Sequence, residues 1–252
     1  MPRVLRTSLL SAVGIGAFVL LWAGVGRALS NPALLPSPAS VWRALQTILE
    51  GEIADDILAS LAHLGTGYVI GVAIGLALAV LCARWESLDA AIEPAVEFLR
   101  PISAIAWIPI AILMFGVSER VPVFLIAYAA TFPVFVNTMD GVRRLDRSLL
   151  NAARSLGASG NMLVTHVVIP GALPYVLTGA RLSLGVAWMA MVAGELVGAD
   201  AGLGYRIMWF QEFFAMDKVM AVILIIGVLG FAADAGLRLL QRRLLAWNPA
   251  EA

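Results

Sequence analysis

Apolar residues in this chain come in long unbroken runs rather than in alternation, and short polar stretches separate the runs. A helix crossing a hydrocarbon core needs about 20 apolar residues, and only helices or closed barrels can satisfy their backbone there. The pattern therefore predicts an all-α membrane protein with six transmembrane helices, at about 8–29, 61–83, 99–115, 121–140, 174–197 and 219–240. The first run is too long for a signal-peptide core and lacks a clean small-x-small cleavage site, so it is expected as an uncleaved helix. The stretch 31–60 is polar, marked by Pro32, Pro36 and Pro38 and then by Glu50, Glu52, Asp55 and Asp56. The stretch 198–218 sets Asp200, Arg206, Glu212 and Asp217 beside Trp209, Phe210, Phe213 and Phe214, the mixture of an interfacial segment.

The stretch 141–170 differs from the others. It holds Arg143, Arg144, Arg147 and Arg154, and is too polar to cross a membrane and too long for a tight turn. Within it, Leu145, Leu149, Ala153 and Leu156 fall on one helical stripe, while Asp146, Arg147, Asn151, Arg154 and Ser155 lie elsewhere. A short amphipathic helix ending at Gly157, a turn over 158–160 and a second apolar stretch, 162–169, running to Pro170 make a helix-turn-helix element. Its apolar stripe has to be covered by the domain's own surface or by a soluble partner.

Two further patterns concern packing. Gly67, Gly71 and Gly75 recur every fourth residue and continue at Ala79, so one face of the second span is nearly bare backbone and suits a close helix contact, within the chain or between two copies. Pro101, Pro109, Pro122 and Pro133 interrupt the third and fourth spans, which points either to cavity-lining helices or to simple kinks.

Composition narrows the function. Hydrophobic residues make up 61% of the chain and charged ones 13%, with 17 basic and 17 acidic side chains that cancel, so nothing suggests a nucleic-acid partner. With the amino terminus inside, Arg3, Arg6, Arg84, Arg100, Arg143, Arg144, Arg147, Arg154, Arg181, Arg238, Arg242 and Arg243 face the cytoplasm. Only Arg27, Arg43, Arg120, Arg206 and Lys218 lie outside, so the positive-inside rule puts both termini and the 141–170 insertion in the cytoplasm. The single Cys82 excludes a disulfide framework and a cysteine metal site, and is expected as a packing residue. His63 and His166 lack the spacing of a helical metal pair and are expected to be structural. No cofactor or metal is called for. The only lysine, Lys218, is not in a phosphate-binding loop, so any ATP chemistry belongs to another polypeptide.

The insertion carries a resemblance. Asn151-Ala152-Ala153, Gly157, Ile169-Pro170 and Leu173-Pro174, with Leu156 on the stripe, are similar to the EAA-type loop of permease subunits in ATP-binding-cassette importers. Asn151 departs from the usual glutamate. Arg181-Leu182-Ser183-Leu184-Gly185, Gly194-Glu195-Leu196-Val197-Gly198 and Gly202-Leu203-Gly204-Tyr205 extend the likeness, as do Arg100-Pro101-Ile102-Ser103, Trp107-Ile108-Pro109 and Phe115-Gly116. The chain most closely resembles the nitrate, sulfonate and taurine branch of these permeases. The resemblance implies a five-helix importer core plus an N-terminal helix, laid out as an N-terminal helix and external polar segment (1–60), a core (61–245) with its coupling loop at 141–173, and a short cytoplasmic tail (246–252). It further implies a cytoplasmic coupling helix seated on a separate ATP-binding subunit, an external solute-binding protein, a homodimer in membrane lipid, and a place in the bacterial inner membrane. Import of nitrate, a sulfonate, taurine or a related organic anion follows. Pathway candidates are Ser103, Trp107, Thr131, Asn137, Ser183 and Trp188, with Glu195 either structural or on the pathway.

The rival is an ion-coupled secondary transporter, which would keep ionisable or broken-helix sites near the bilayer midplane. Asp140, Arg181, Glu195 and Asp234 are all expected toward span ends instead. An intramembrane protease is disfavoured: Ser159 of Gly157-Ala158-Ser159-Gly160 belongs to the loop, and His63 to the far side of the bilayer.

Overall fold

The computed structural model describes residues 2–29, 31, 34–51 and 53–245, and every regular element among them is helical. Pro32, Glu52 and the 246–252 tail lie outside the described residues. The helices are α1 Pro2–Leu29, α2 Pro38–Leu49, α3 Ile53–Arg84, α4 Glu86–Leu99, α5 Ile108–Phe115, α6 Arg120–Arg143, α7 Arg147–Ser155, α8 Gly160–Leu163, α9 Ile169–Gly198, α10 Leu203–Glu212 and α11 Met216–Leu244. A 3₁₀ turn, Ala104–Trp107, leads into α5, and a π-helical stretch, Val164–Val168, leads into α9.

Four stretches among the described residues are long and apolar enough to cross a membrane: Ile53–Arg84, Arg120–Arg143, Val164–Gly198 and Met216–Leu244. Glu86–Leu99 with Ala104–Phe115 makes a fifth if a pair bent by 88° is one span, and the apolar section of α1, Gly16–Leu29, is shorter. The predicted straight span over 99–115 is thus a broken one. Pro101 has no N–H to continue α4, the chain turns, and Ser103 opens the next limb by accepting from the Ile105 amide at 3.4 Å. Tyr128 of α6 donates its hydroxyl to the Leu99 carbonyl at 2.8 Å, beside the Ile102 amide that donates to the same oxygen at 3.0 Å, and so ties the break to α6.

Two polar stretches hold more helix than their composition suggests. Within 31–60 lie all of α2, which Ser37 caps by accepting from the Ser40 amide at 3.2 Å, and the first turns of α3. The insertion is shorter than 141–170, because the helical path resumes at Gly160 and runs through the π stretch into α9. Pro170 therefore sits in the first turn of α9 rather than ending a helix, and Pro174 lies inside it. Pro170 cannot donate to the His166 carbonyl, and the neighbouring backbone shifts to a wider repeat, with the Ile169 amide bonded to the Val164 carbonyl.

The core is α6 held between α3 and α9. On α3 the buried residues His63, Gly67, Gly71, Gly75, Ala79 and Cys82 form one stripe at helical spacing. A Cβ added to Gly67 would meet the Val123 carbonyl at 2.7 Å, one on Gly71 the Ala127 carbonyl at 2.5 Å, and one on Gly75 the Thr131 carbonyl at 2.5 Å. The constant offset makes α3 and α6 parallel. The glycine face is therefore used within the chain, against α6, and lends no support to a contact between copies. Gly179 and Gly194 of α9 approach the other side of α6 as closely, at the Pro133 carbonyl (2.9 Å) and the Pro122 Cα (2.7 Å). Cys82 is buried with Ala79, Phe135 and Met139, as a packing residue. At the α7 end, Arg143 ties α6 to α4 through Asp89 (3.0 Å) and Glu93 (2.9 Å). At the opposite, α10 end, α2 and α10 pack with α11 through Val41, Ala44, Phe210, Val222 and Ile225.

Replacing Gly71 by alanine is expected to cost about 1–3 kcal/mol through overpacking, whereas alanine at Gly65 is expected to be neutral. Nothing lies within 4 Å of a Cβ at Gly65. Thermal unfolding of both variants in one detergent checks the pair.

Candidate functional site

A buried polar cluster sits at the α10 end. The first turn of α10 has amides without intrahelical partners, and three of them point at side chains from distant parts of the chain. The Gly202 amide donates to Asp56 Oδ1 at 3.2 Å, the Leu203 amide to Ser60 Oγ at 2.8 Å, and the Gly204 amide to Glu195 Oε2 at 2.9 Å. Ser60 in turn donates to Glu195 Oε2 at 2.8 Å, and His63 Nδ1 lies 2.9 Å from Glu195 Oε1. Glu195 is fully buried, and its carboxylate is held by these three donors and by the positive end of α10. Arg206 grips Asp56 Oδ2 at 2.6 Å. Gly202 is at φ +115, and a Cβ there would lie 2.5 Å from the Glu195 carboxyl carbon, so both its backbone conformation and the space require glycine. Ser60 and His63 both address the carboxylate rather than each other, so this is a helix cap and not a nucleophile–base pair.

Beside the cluster, a cleft of about 730 Å³ runs between α3 and α6 with Phe115 of α5 as a third wall. On α3 it is lined by His63, Thr66, Ile70 and Ile74, and on α6 by Arg120, Phe124, Ala127 and Thr131, with Glu119 at its mouth. A smaller cleft, about 360 Å³, opens at the broken span between Ser103, Tyr128, Pro133 and Met189.

At the far end of the bundle, α7 projects between α6 and α8. Asp146 caps it, accepting from the Ser148 amide at 2.8 Å, and hydrogen bonding from the Ser148 side chain first and its amide second holds the carboxyl below the usual aspartate range. The cap is therefore present at neutral pH and is lost only as pH falls through that lowered value. Gly157 at φ +90 and Gly160 at φ +51 make the reversal that follows. On the stripe, Leu149 is 49% and Leu156 89% exposed, while Leu145 reaches back to the backbone of Gly171. Asn151 and Ala152 are exposed, Ala153 is half-buried, and Ile169, Pro170, Leu173 and Pro174 lie in the first turns of α9.

The candidate pathway residues fall in different places. Thr131 lines the large cleft, its hydroxyl bonded to the Ala127 carbonyl at 2.8 Å, and Ser103 lines the small one. Trp107 packs on Tyr128 with ring centres 5.4 Å apart, its indole nitrogen buried and without an acceptor among the described residues. Asn137 bonds the Pro133 carbonyl of its own helix at 2.8 Å, and Trp188 packs over Gly230 of α11. Ser183 is fully buried and donates to the Ala180 carbonyl, so neither it nor Glu195 lines a cleft. Arg181 pairs with Asp234 at 2.9 Å, joining α9 to α11. His166 bonds Thr165 and the Met162 carbonyl, and Ser159 sits in the turn before α8.

Sequence reasoning missed Ser60, His63 and the Gly204 amide as partners of Glu195, and Asp56 as the partner of Arg206 and the Gly202 amide beside them. The available signal was the pair Gly202 and Gly204 following a lone carboxylate by seven and nine positions. Replacing Glu195 by alanine is expected to destabilise the protein by about 3–5 kcal/mol, because it strips the cap and leaves buried donors unpaired, and glutamine is expected to recover part of that loss. Unfolding midpoints of the two variants in detergent check this.

Comparison with known proteins agrees with this architecture. Residues 71–246 match the family described as binding-protein-dependent transport system inner membrane component. A permease protein named for aliphatic sulfonates transport, SsuC of Escherichia coli (strain K12), is 37% identical over 94% of this chain and 90% of its own length. The taurine transport system permease protein TauC of the same organism is 33% identical over 94% of this chain and 89% of its own. Among solved structures, one titled for inward facing conformations of the MetNI methionine ABC transporter superposes with a TM-score of 0.65 at 19% identity, covering 76% of this chain and 95% of that one, a likeness of fold alone. These relatives are named as transport permease proteins, which does not favour the ion-coupled alternative. The chain belongs to the binding-protein-dependent transport system inner membrane components, the multi-pass permease subunits of ATP-binding-cassette importers.

Proposed function

We propose that this subunit conducts a small solute, a sulfonate, taurine or a related organic anion, into the cell, acting as a homodimer in the lipid bilayer. The names of its relatives support the solute class. In this reading α1 is a sixth span, 1–60 is an addition to a permease core over 61–245, and the described part of the chain ends near a short cytoplasmic tail. The arginine asymmetry supports cytoplasmic placement of both termini and of the α7 end, which leaves the α10 end facing an external solute-binding protein.

The observation that carries the mechanism is the exposure of α7. A nine-residue helix with Leu149 and Leu156 turned to solvent, closed by two glycines in left-handed conformations, has an apolar surface that its own domain does not cover. Such a surface suits a groove on the ATP-binding subunit. Asn151, Ala152, Ala153, Leu156 and Gly157 form the contact, and Ile169, Pro170, Leu173 and Pro174 carry its displacement into α9. Asn151 offers hydrogen bonds there but no full negative charge.

In proteoliposomes containing the subunit, its ATPase and a loaded binding protein, Leu156→Asp is expected to reduce stimulated ATP hydrolysis and uptake about tenfold, the effect of losing an interface anchor. Leu156 is so exposed that the fold itself is expected to be unaffected. Unchanged stimulation in this variant would refute coupling through α7. Uptake driven by an ion gradient with no ATPase present would restore the secondary transporter.

A further inference from the structure

The large cleft has a polar end and an apolar body, and its two main walls are parallel helices. At the α10 end stand Glu119, Arg120 and His63, and further along the cleft follow Ile70, Phe124, Ala127 and Ile74, with only the hydroxyls of Thr66, Tyr128 and Thr131 among them. From His63 to Ile74, eleven residues of helix, the wall extends about 16 Å. The side chain of Arg120 has no ion-pair or hydrogen-bond partner among the described residues, and neither has that of Glu119. His63 is different, since its Nδ1 is engaged by Glu195, which fixes the ring and leaves Nε2 as the nitrogen available to an occupant of the cleft. With a hydrogen on each ring nitrogen, Nδ1–H stays on Glu195 and Nε2–H is a donor to the cleft.

We propose that this cleft is the contact site for the translocated solute, and that it takes an organic monoanion with an apolar body rather than a bare inorganic oxyanion. Arg120 and His63 Nε2 receive the acidic head. The aliphatic and aromatic wall receives the carbon chain, which a nitrate or bicarbonate ion could not use. Glu119 at the mouth opposes a second negative charge and sets the limit at one. Burial of the chain adds affinity with each methylene, while the single arginine keeps the head weakly held, as a route that must release its cargo requires. The inference rests on the importer reading and narrows its solute class.

The test uses the subunit with its ATPase in nanodiscs and a diazirine-bearing butanesulfonate as the probe, with labelled peptides located by mass spectrometry. Adducts are expected on 62–74 and 120–132. Methane-, ethane-, propane- and butanesulfonate are expected to protect at concentrations that fall about fourfold per added methylene, with nitrate ineffective. Arg120→Gln is expected to weaken labelling about tenfold, with copurification of the ATPase reporting that the complex still assembles. Ile74→Trp, which fills the apolar end and leaves the head contacts alone, is expected to abolish the chain-length dependence while methanesulfonate still protects. Adducts elsewhere, equal protection by nitrate and butanesulfonate, or labelling of the same walls by a diazirine-bearing phospholipid that sulfonates fail to displace would each overturn the proposal. ATP-driven, binding-protein-dependent uptake of a radiolabelled sulfonate by the wild-type complex, measured alongside, separates the two readings. If that uptake persists, the importer stands and only the cleft assignment falls.

Discussion

Helices in lipid gain nothing from hiding apolar side chains, because the solvent is as apolar as they are; close approach and a few polar contacts have to hold them together. In this protein that constraint falls on α6. Glycines of α3 and α9 bring both neighbours to within van der Waals reach of its backbone carbonyls, and the register this imposes fixes everything else. Thr131 reinforces it, since its hydroxyl, bonded within α6, also lies 3.3 Å from the Gly71 carbonyl of α3. The tyrosine that closes the broken end of α4, the arginine that ties α4 back, and one whole wall of the large cleft are all presented by α6.

The buried carboxylates follow from the same register. The small-residue stripe on α3 continues beyond Gly67 through His63, Ser60 and Asp56, so the face that is bare where it meets α6 becomes polar where it meets α10. An isolated carboxylate at that depth would cost several kcal/mol, on the order of 3–5 if left uncompensated. Here it replaces another cost. The opening turn of α10 is buried and lacks backbone partners, and Asp56, Ser60 and Glu195 each accept one of its amides. Charge and cap are mutually satisfied, and α3, α9 and α10 are joined at one point.

Four of the six predicted spans, the short helix α7 and the family were legible because each depends on local pattern: run length, a 3.6-residue stripe, and motifs confined to a few turns. The break between α4 and α5 was half legible. Pro101 signalled an interruption, but the 88° bend is tied to α6 by the Tyr128 hydroxyl, which donates to the Leu99 carbonyl, and that is a tertiary fact. Helix α2 hid inside a polar stretch because its buried face, Val41, Ala44 and Ile48, is narrow and packs against residues more than 150 positions away. The glycine face was legible as an interface but its partner was not, since nothing in a four-residue repeat says whether the other helix belongs to the same chain. Glu195 was visible as an oddity. Its cap function was not, because its partners on α3 lie 132 and 135 positions away.

The two ends of the bundle are mechanically connected, and the connection runs through α9. From Ile169 to Gly198 it spans about 45 Å, longer than the bilayer core of about 30 Å, so its first turns stand beside α7 and its last turn carries Glu195. In the proposed coupling, a displacement of α7 would enter α9 at Ile169 and Pro170 and leave it at the cluster that also grips α3 and α10. Because α3 and α6 are locked by backbone-level contacts, two walls of the large cleft move as one body with α9. The third wall, Phe115, is held by a ring contact to Phe124 at 5.8 Å and by the Ser118 amide to the Gly198 carbonyl, while the rest of its limb is separated from α4 by the 88° break. The cleft thus has two walls fixed to the bundle and one attached at its edge, and in the proposed coupling a motion arriving from α7 would change its width at Phe115, near the charged mouth.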